Sequence, residues 1–261
     1  MHYDPQLHGP QPIFNAPAAV VGLVVGLIGI HVGISVLAAL SVDAATNLVL
    51  SGAIVAARYG AVLGLADPPT IAEFPTDPAS LAAPFVSHIF LHANLLHLTF
   101  NALWLLVFGT AVARRLGAVG ILTGIDRFFR FGVFLTFFLT SGVVAGLTFV
   151  ALNPTMEIPL VGASGAVSGL MGGAARFVFR RPLIGSVYDA PLAPTGERTV
   201  VSFTLAWLLI NLVFAFSGPI FGGEGVAVAW EAHLGGYFFG LFAYPVFDRA
   251  ARGAAASPAR P

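Results

Sequence analysis

The stretch VGASGAVSGLMGG, Val161 to Gly173, places a serine among small residues inside an apolar segment. Ser164 stands directly before Gly165, and glycine, lacking a Cβ, lets another backbone come within contact distance. A helix opening at Ser164 would also leave its first amide N–H groups free to bind a developing negative charge. Small residues at helical spacing equally serve to pack transmembrane helices, with no chemistry attached. What favours chemistry lies on two other segments, at His233 and at His97 with Asn101.

The surrounding chain is 57% hydrophobic and 9% charged, with a mean hydropathy of +0.88. Soluble domains carry roughly 25% charged residues, so this composition reads as an integral membrane protein. The 12 basic residues are all arginine and the formal net charge is zero, which gives no basic surface for nucleic acid. Cysteine is absent, excluding disulfides, thiolate nucleophiles and Cys-ligated metals. Met1 to Pro17 is polar and proline-rich, and the apolar run after it is too long for a signal-peptide core, so it is expected to stay as a first span.

Six spans are expected: Ala18–Leu40, about Ser87–Ala111, about Phe131–Leu152, a fourth from Ser164 to about Arg180, Val200–Phe216 and about Val228–Phe247. Residues 1–16 and 250–261 are then short tails around a bundle over 17–249. His31, alone on the first span, reads as a packed or cavity-facing residue. Asp43 to Pro84 reads as a long loop lying partly in the membrane interface, with a short helix around Leu48 to Leu65; Arg58 near its middle argues against a further span. Arg114, Arg115, Arg127, Arg130, Arg176, Arg180, Arg181, Arg198, Arg249 and Arg252 fall in alternate connections or the C-terminal tail, which predicts both termini in the cytoplasm. Arg58 stands on the other side with Asp67, Glu73, Asp77, Glu157 and Glu224.

Counting back from these arginines at 1.5 Å per residue puts Ser164 at about 18 Å, Asn101 at about 20 Å, His233 at about 24 Å and His97 at about 26 Å. In a hydrocarbon core about 30 Å thick all four lie in the outer half, where they can share a pocket. Polar groups at that depth are expensive unless they line a hydrated cavity or satisfy one another. His97 and Asn101 are four apart, on one helical face. His233, Gly236 and Gly240 share a face, and Gly165, Gly169, Gly172 and Gly173 form a matching stripe. Two glycine faces would bring Ser164 Oγ and His233 within hydrogen-bond reach, about 2.6 to 3.2 Å.

With those residues in place the chain resembles the rhomboid family of intramembrane serine proteases over roughly Phe85 to Phe247. The matching pieces stand in family order: HANLLHLTFN ending at Asn101, GTAVARRLG, GASG at Ser164, and AHLGGYFFG from Ala232. The resemblance implies an all-α membrane protein, a six-transmembrane-helix bundle with a long interfacial loop between the first two spans. It implies a Ser-His dyad with Ser164 as nucleophile and His233 as general base. It further implies an oxyanion and substrate-binding site made from the Ser164 N–H, the side chains of His97 and Asn101, and Gly162. His92 matches a position with a structural hydrogen-bonding role behind the site, and Gly236 and Gly240 serve helix packing. No metal and no cofactor are implied; the partners are transmembrane protein substrates and the lipid bilayer, in a bacterial cytoplasmic (inner) membrane. Two places depart from the family pattern: Ala83-Pro84 stands where many members carry Trp-Arg, and Ser168 where an aromatic often packs under the histidine.

Other protease classes need other residues. A zinc protease of the H-E-x-x-H type fails because no histidine is followed by glutamate, and His88 with His92 at one helical spacing lacks a carboxylate partner. The G-x-S-x-G elbow fails at Ala166. A catalytically inactive relative that binds membrane-protein clients would be expected to lack Ser164 or His233, and a transporter to show repeats and intramembrane carboxylates.

Overall fold

A computed structural model describes residues 16–69, 75–118, 125–180, 188–216 and 228–253. Most of the N-terminal tail, Glu73, Arg181, part of the Pro182–Arg198 connection, the Gly218–Gly225 loop with Glu224, and 254–261 lie outside the described residues. The chain is helical: α1 (Ala18–Leu40), α2 (Val42–Gly52), α3 (Ala56–Val62), α4 (Pro78–Ala82), α5 (Pro84–Ser87), α6 (Leu95–Trp104), α7 (Thr110–Leu116), α8 (Ile125–Leu152), α9 (Ser164–Ala175), α10 (Arg198–Phe216) and α11 (Trp230–Gly253). A π turn over Leu105–Gly109 joins α6 to α7 in one rod. Among the described residues three helices are long and apolar enough to cross a membrane, Ala18–Leu40, Leu95–Leu116 and Asp126–Leu152, and Arg198–Val213 is a shorter apolar one. The protein is an integral membrane protein.

Two expected elements are redrawn. The second span does not begin at Ser87: His88–Phe90 is a 3₁₀ turn, the chain then extends, and α6 starts only at Leu95. The cause is Asn94, whose backbone is extended and whose side chain accepts from the His97 N–H at 2.8 Å, a helix N-cap. His88 and His92 therefore share no helical face. Leu48 to Leu65 is likewise not one helix, because α2 and α3 are separated at Ala53–Val55. There buried Ile54 pairs antiparallel with Leu160, giving an N–H at 3.1 Å and accepting one at 2.8 Å. Arg58, on α3, is 4% exposed and its guanidinium donates to the Pro75 carbonyl, while Tyr59 donates to the Leu81 carbonyl at 3.0 Å. Both residues fold the loop onto itself. Ala83-Pro84 is the junction of α4 and α5, with proline at the first helical position, where its missing N–H has no partner to lose.

α9 is only 12 residues, about 18 Å, too short to cross a core about 30 Å thick by itself. Every residue from Gly165 to Ala175 is buried, so α9 is the inner helix and the others wrap it. α11 runs parallel to it, with Gly236 against Gly165 and Gly240 against Gly169; α8 runs antiparallel, with Ala145 against Gly165 and Ser141 against Gly169. A Cβ on Gly236 or Gly240 would fall on the Gly165 or Gly169 carbonyl, which is why the α9–α11 crossing needs glycine. Below it, Phe134, Phe137, Phe138, Phe177, Tyr237 and Tyr244 fill the core.

At the arginine end the expected topological charges are also structural. Arg115 donates to both Asp248 carboxylate oxygens, at 2.8 and 3.1 Å, and to the Ala190 carbonyl at 2.9 Å, with Phe177 under its guanidinium at 4.7 Å. Arg252 reaches Asp248 at 3.1 Å and the Tyr188 carbonyl at 3.2 Å. Arg176 donates to Ala193 at 2.6 Å and Leu241 at 2.7 Å.

Candidate active site

Ser164 is the first residue of α9 and His233 the fourth of α11. Because the helix axes are drawn together at Gly236 and Gly240, the two side chains meet at the parallel helices' N-terminal ends: Ser164 Oγ lies 2.9 Å from His233 Nε2. Both residues are half-buried, so the pair is reachable. A serine hydroxyl hydrogen-bonded to an imidazole nitrogen can pass its proton to that nitrogen as the oxygen attacks.

On the facing side, His97 and Asn101 project from α6. The His97 backbone is held by the Asn94 cap, and Asn101, 4% exposed, donates from Nδ2 to the His97 carbonyl at 2.9 Å. That bond uses one of the two amide hydrogens; the other is available to a ligand. The His97 ring lies against Gly162, whose φ of +122° and close packing both demand glycine: a Cβ there would come 2.6 Å from His97 Cε1 and 2.7 Å from Nε2. The Gly162 N–H is bound to the His88 carbonyl at 2.8 Å. Gly162, His97 and Asn101 thus border one space, and the chain from Gly162 leads in two residues to Ser164.

His88 is buried, with its Nδ1 bonded to the Pro84 carbonyl at 2.8 Å. His92 is buried edge-on to His97, ring centroids 5.2 Å apart, and neither ring nitrogen has a hydrogen-bond partner among the described residues. His31 is half-buried on α1, within electrostatic reach of both His92 and His97. Ser168 is buried on α9.

One residue was missed by the sequence reading. Asn211, on α10 and 6% exposed, places Oδ1 2.8 Å from His233 Nδ1 and donates from Nδ2 to the Trp230 carbonyl at 3.3 Å. The signal was there in an asparagine set into the apolar run LAWLLINLVF.

Comparison with known proteins follows the same residues, for 81–249 match the Rhomboid domain. The chain belongs to the rhomboid family. The rhomboid match opens in α4 and closes in α11, so it holds Ser164, His233, His97, Asn101 and Asn211 and leaves out α1 with His31. Among curated relatives, rhomboid protease GlpG of Serratia proteamaculans is 32% identical over 157 residues, 60% of this chain and 45% of that protein. Rhomboid protease GluP of Bacillus subtilis is 28% identical over 157 residues, 59% of this chain and 24% of that protein. Rhomboid protease GlpG of Haemophilus influenzae is 26% identical over 158 residues, 60% of this chain and 65% of that protein. The matched rhomboid stretch thus covers between 24% and 65% of these relatives' own length.

Proposed function

We propose that this rhomboid is an intramembrane serine endopeptidase cleaving transmembrane or juxtamembrane segments of membrane proteins. The observation that carries the reading is the 2.9 Å contact between Ser164 Oγ and His233 Nε2, half-buried at one end of the α9–α11 pair. In this mechanism Ser164 Oγ attacks the peptide carbonyl carbon while its proton passes to His233 Nε2. The carbonyl oxygen, now negative, receives hydrogen bonds from the Ser164 N–H and the His97 and Asn101 side chains, with Gly162 leaving room for the substrate backbone. Collapse breaks the C–N bond, and His233 returns the proton to the leaving amine. Water, deprotonated by His233, then attacks the acyl ester and restores Ser164. No step calls for a metal or cofactor.

The setting belongs to the same reading: a six-span bundle over residues 17–249 between tails at 1–16 and 250–261, in a bacterial cytoplasmic membrane with both termini in the cytoplasm. The short, buried α9 is the fourth segment, crossing with the turns that flank it, and the Asp43–Pro84 loop lies on the outer face. Labelling of the purified protein by a fluorophosphonate probe tests the chemistry. Labelling is expected for the wild type and lost in Ser164→Ala. Persistence in that variant would move the nucleophile elsewhere, Ser168 first, and absence of labelling in a folded wild type would favour an inactive, client-binding rhomboid.

A further inference from the structure

The contact of Asn211 with the far side of the His233 ring fixes more than the position of a helix. An asparagine on a helix whose Leu205, Leu209, Ile210, Leu212 and Val213 are exposed is costly to bury unless its amide is satisfied. Both its groups are. The Trp230 carbonyl only accepts, so the atom facing it is the donor Nδ2, and Oδ1 must be the atom 2.8 Å from His233 Nδ1. Oδ1 cannot donate, so the hydrogen in that contact belongs to Nδ1. A neutral imidazole with its proton on Nδ1 presents a lone pair at Nε2, and Nε2 is the atom facing Ser164 Oγ.

We propose that Asn211 is a positioning residue that holds His233 as the Nδ1-protonated tautomer, making Ser164, His233 and Asn211 one directional chain of hydrogen bonds. This rests on the reading of His233 as the base. When Ser164 Oγ forms its bond to the acyl carbon, its proton goes to Nε2 and the imidazole becomes a cation. The Nδ1 hydrogen stays on nitrogen throughout, still bonded to Oδ1, and Asn211 neither gains nor loses a proton. A neutral amide does this without placing a carboxylate inside the bundle, and Ser168, one turn past the nucleophile, supplies no ring to hold the imidazole in its stead. The alternative is that Asn211 only ties α10 to α11. That tie already exists one and two turns away, where Thr204 Oγ1 and the Tyr237 hydroxyl are 2.8 Å apart and Trp207 stacks on Tyr237 at 4.1 Å.

Fluorophosphonate labelling kinetics of the full chain, with ¹⁵N NMR of labelled histidine, separate the two. Asn211→Leu, similar in size and without an acceptor, is expected to slow the maximal labelling rate about 10- to 100-fold with the half-saturating probe concentration unchanged, and to lose the Nδ1-protonated pattern at His233. Asn211→Asp keeps the acceptor and is expected to restore that pattern and to label within roughly fivefold of wild type. A wild-type rate in Asn211→Leu, or an equal loss in both variants with the wild-type tautomer retained, would overturn the proposal. Persistent labelling of His233→Ala would instead overturn the base on which it rests. Loss in His233→Ala beside full labelling in Asn211→Leu leaves the base standing and removes only the positioning.

Discussion

At one end of the α9–α11 pair, Arg115, Asp248, Arg252 and Arg176 each have two or more polar partners, and Arg115 and Asp248 are 1% and 8% exposed at their side chains. At the other end, Ser164 and His233 are half-buried, and the hydrogen bonds run in a single line from α10 to α9. The same glycine-lined crossing holds both. The arginine end uses its charges up on neighbours and so contributes to holding the helices together. The serine end commits Ser164 Oγ to a single side-chain partner, His233 Nε2, and leaves it half-buried rather than enclosed. The buried charge network and the Ser164–His233 pair are thus separated along one helix pair by about 18 Å.

Substitutions at the two ends should therefore fail differently. The largest effect is expected from His233→Ala, which removes the group beside Ser164 that can take its proton: turnover of a transmembrane peptide should drop by on the order of 10⁴-fold or more, with the melting temperature within a few degrees of wild type. A melting temperature that collapses with the rate would mean the two ends are not separable. Asp248→Ala should do the reverse. It strips Arg115 of its carboxylate in a buried site and should destabilise by about 3 kcal/mol, read as a melting temperature lower by roughly 10 °C, while the molecules still folded cleave at near the wild-type rate. The smallest effect is expected at the facing wall. Asn101→Ala removes one of several donors and should slow turnover on the order of 10²-fold or less, with His97→Ala falling between it and His233→Ala. If Asn101→Ala unfolds the protein and spares the activity of what remains folded, its bond to the His97 carbonyl is its whole purpose.

What the sequence made legible, and what it hid, follows the same division. Glycine spacing foretold the α9–α11 crossing because a missing Cβ acts at short range and at fixed period. The start of α6 was hidden because SHIFLHANLLHL is apolar enough to read as one run, and only the Asn94 side chain, reaching the His97 N–H, decides where the helix begins. The break at Ile54 was hidden because its partner Leu160 lies over a hundred residues on, and pairing between distant segments leaves no local periodicity. Asn211 was legible as an oddity in α10, but its partner His233 becomes apparent only once α10 and α11 are laid side by side.

The Ile54–Leu160 pairing has a consequence for what may vary. The segment leading to Ser164 is fastened by main-chain donors: Ile54 N–H to Leu160, Leu160 N–H to Ile54, Ala57 N–H to Met156 and Gly162 N–H to His88. None of these bonds consults a side chain. At half-buried Leu160 the side chain can therefore change without loosening the segment, provided it does not become proline, which has no hydrogen to give, whereas Gly162 two residues on is held to glycine by its φ and its contact with His97.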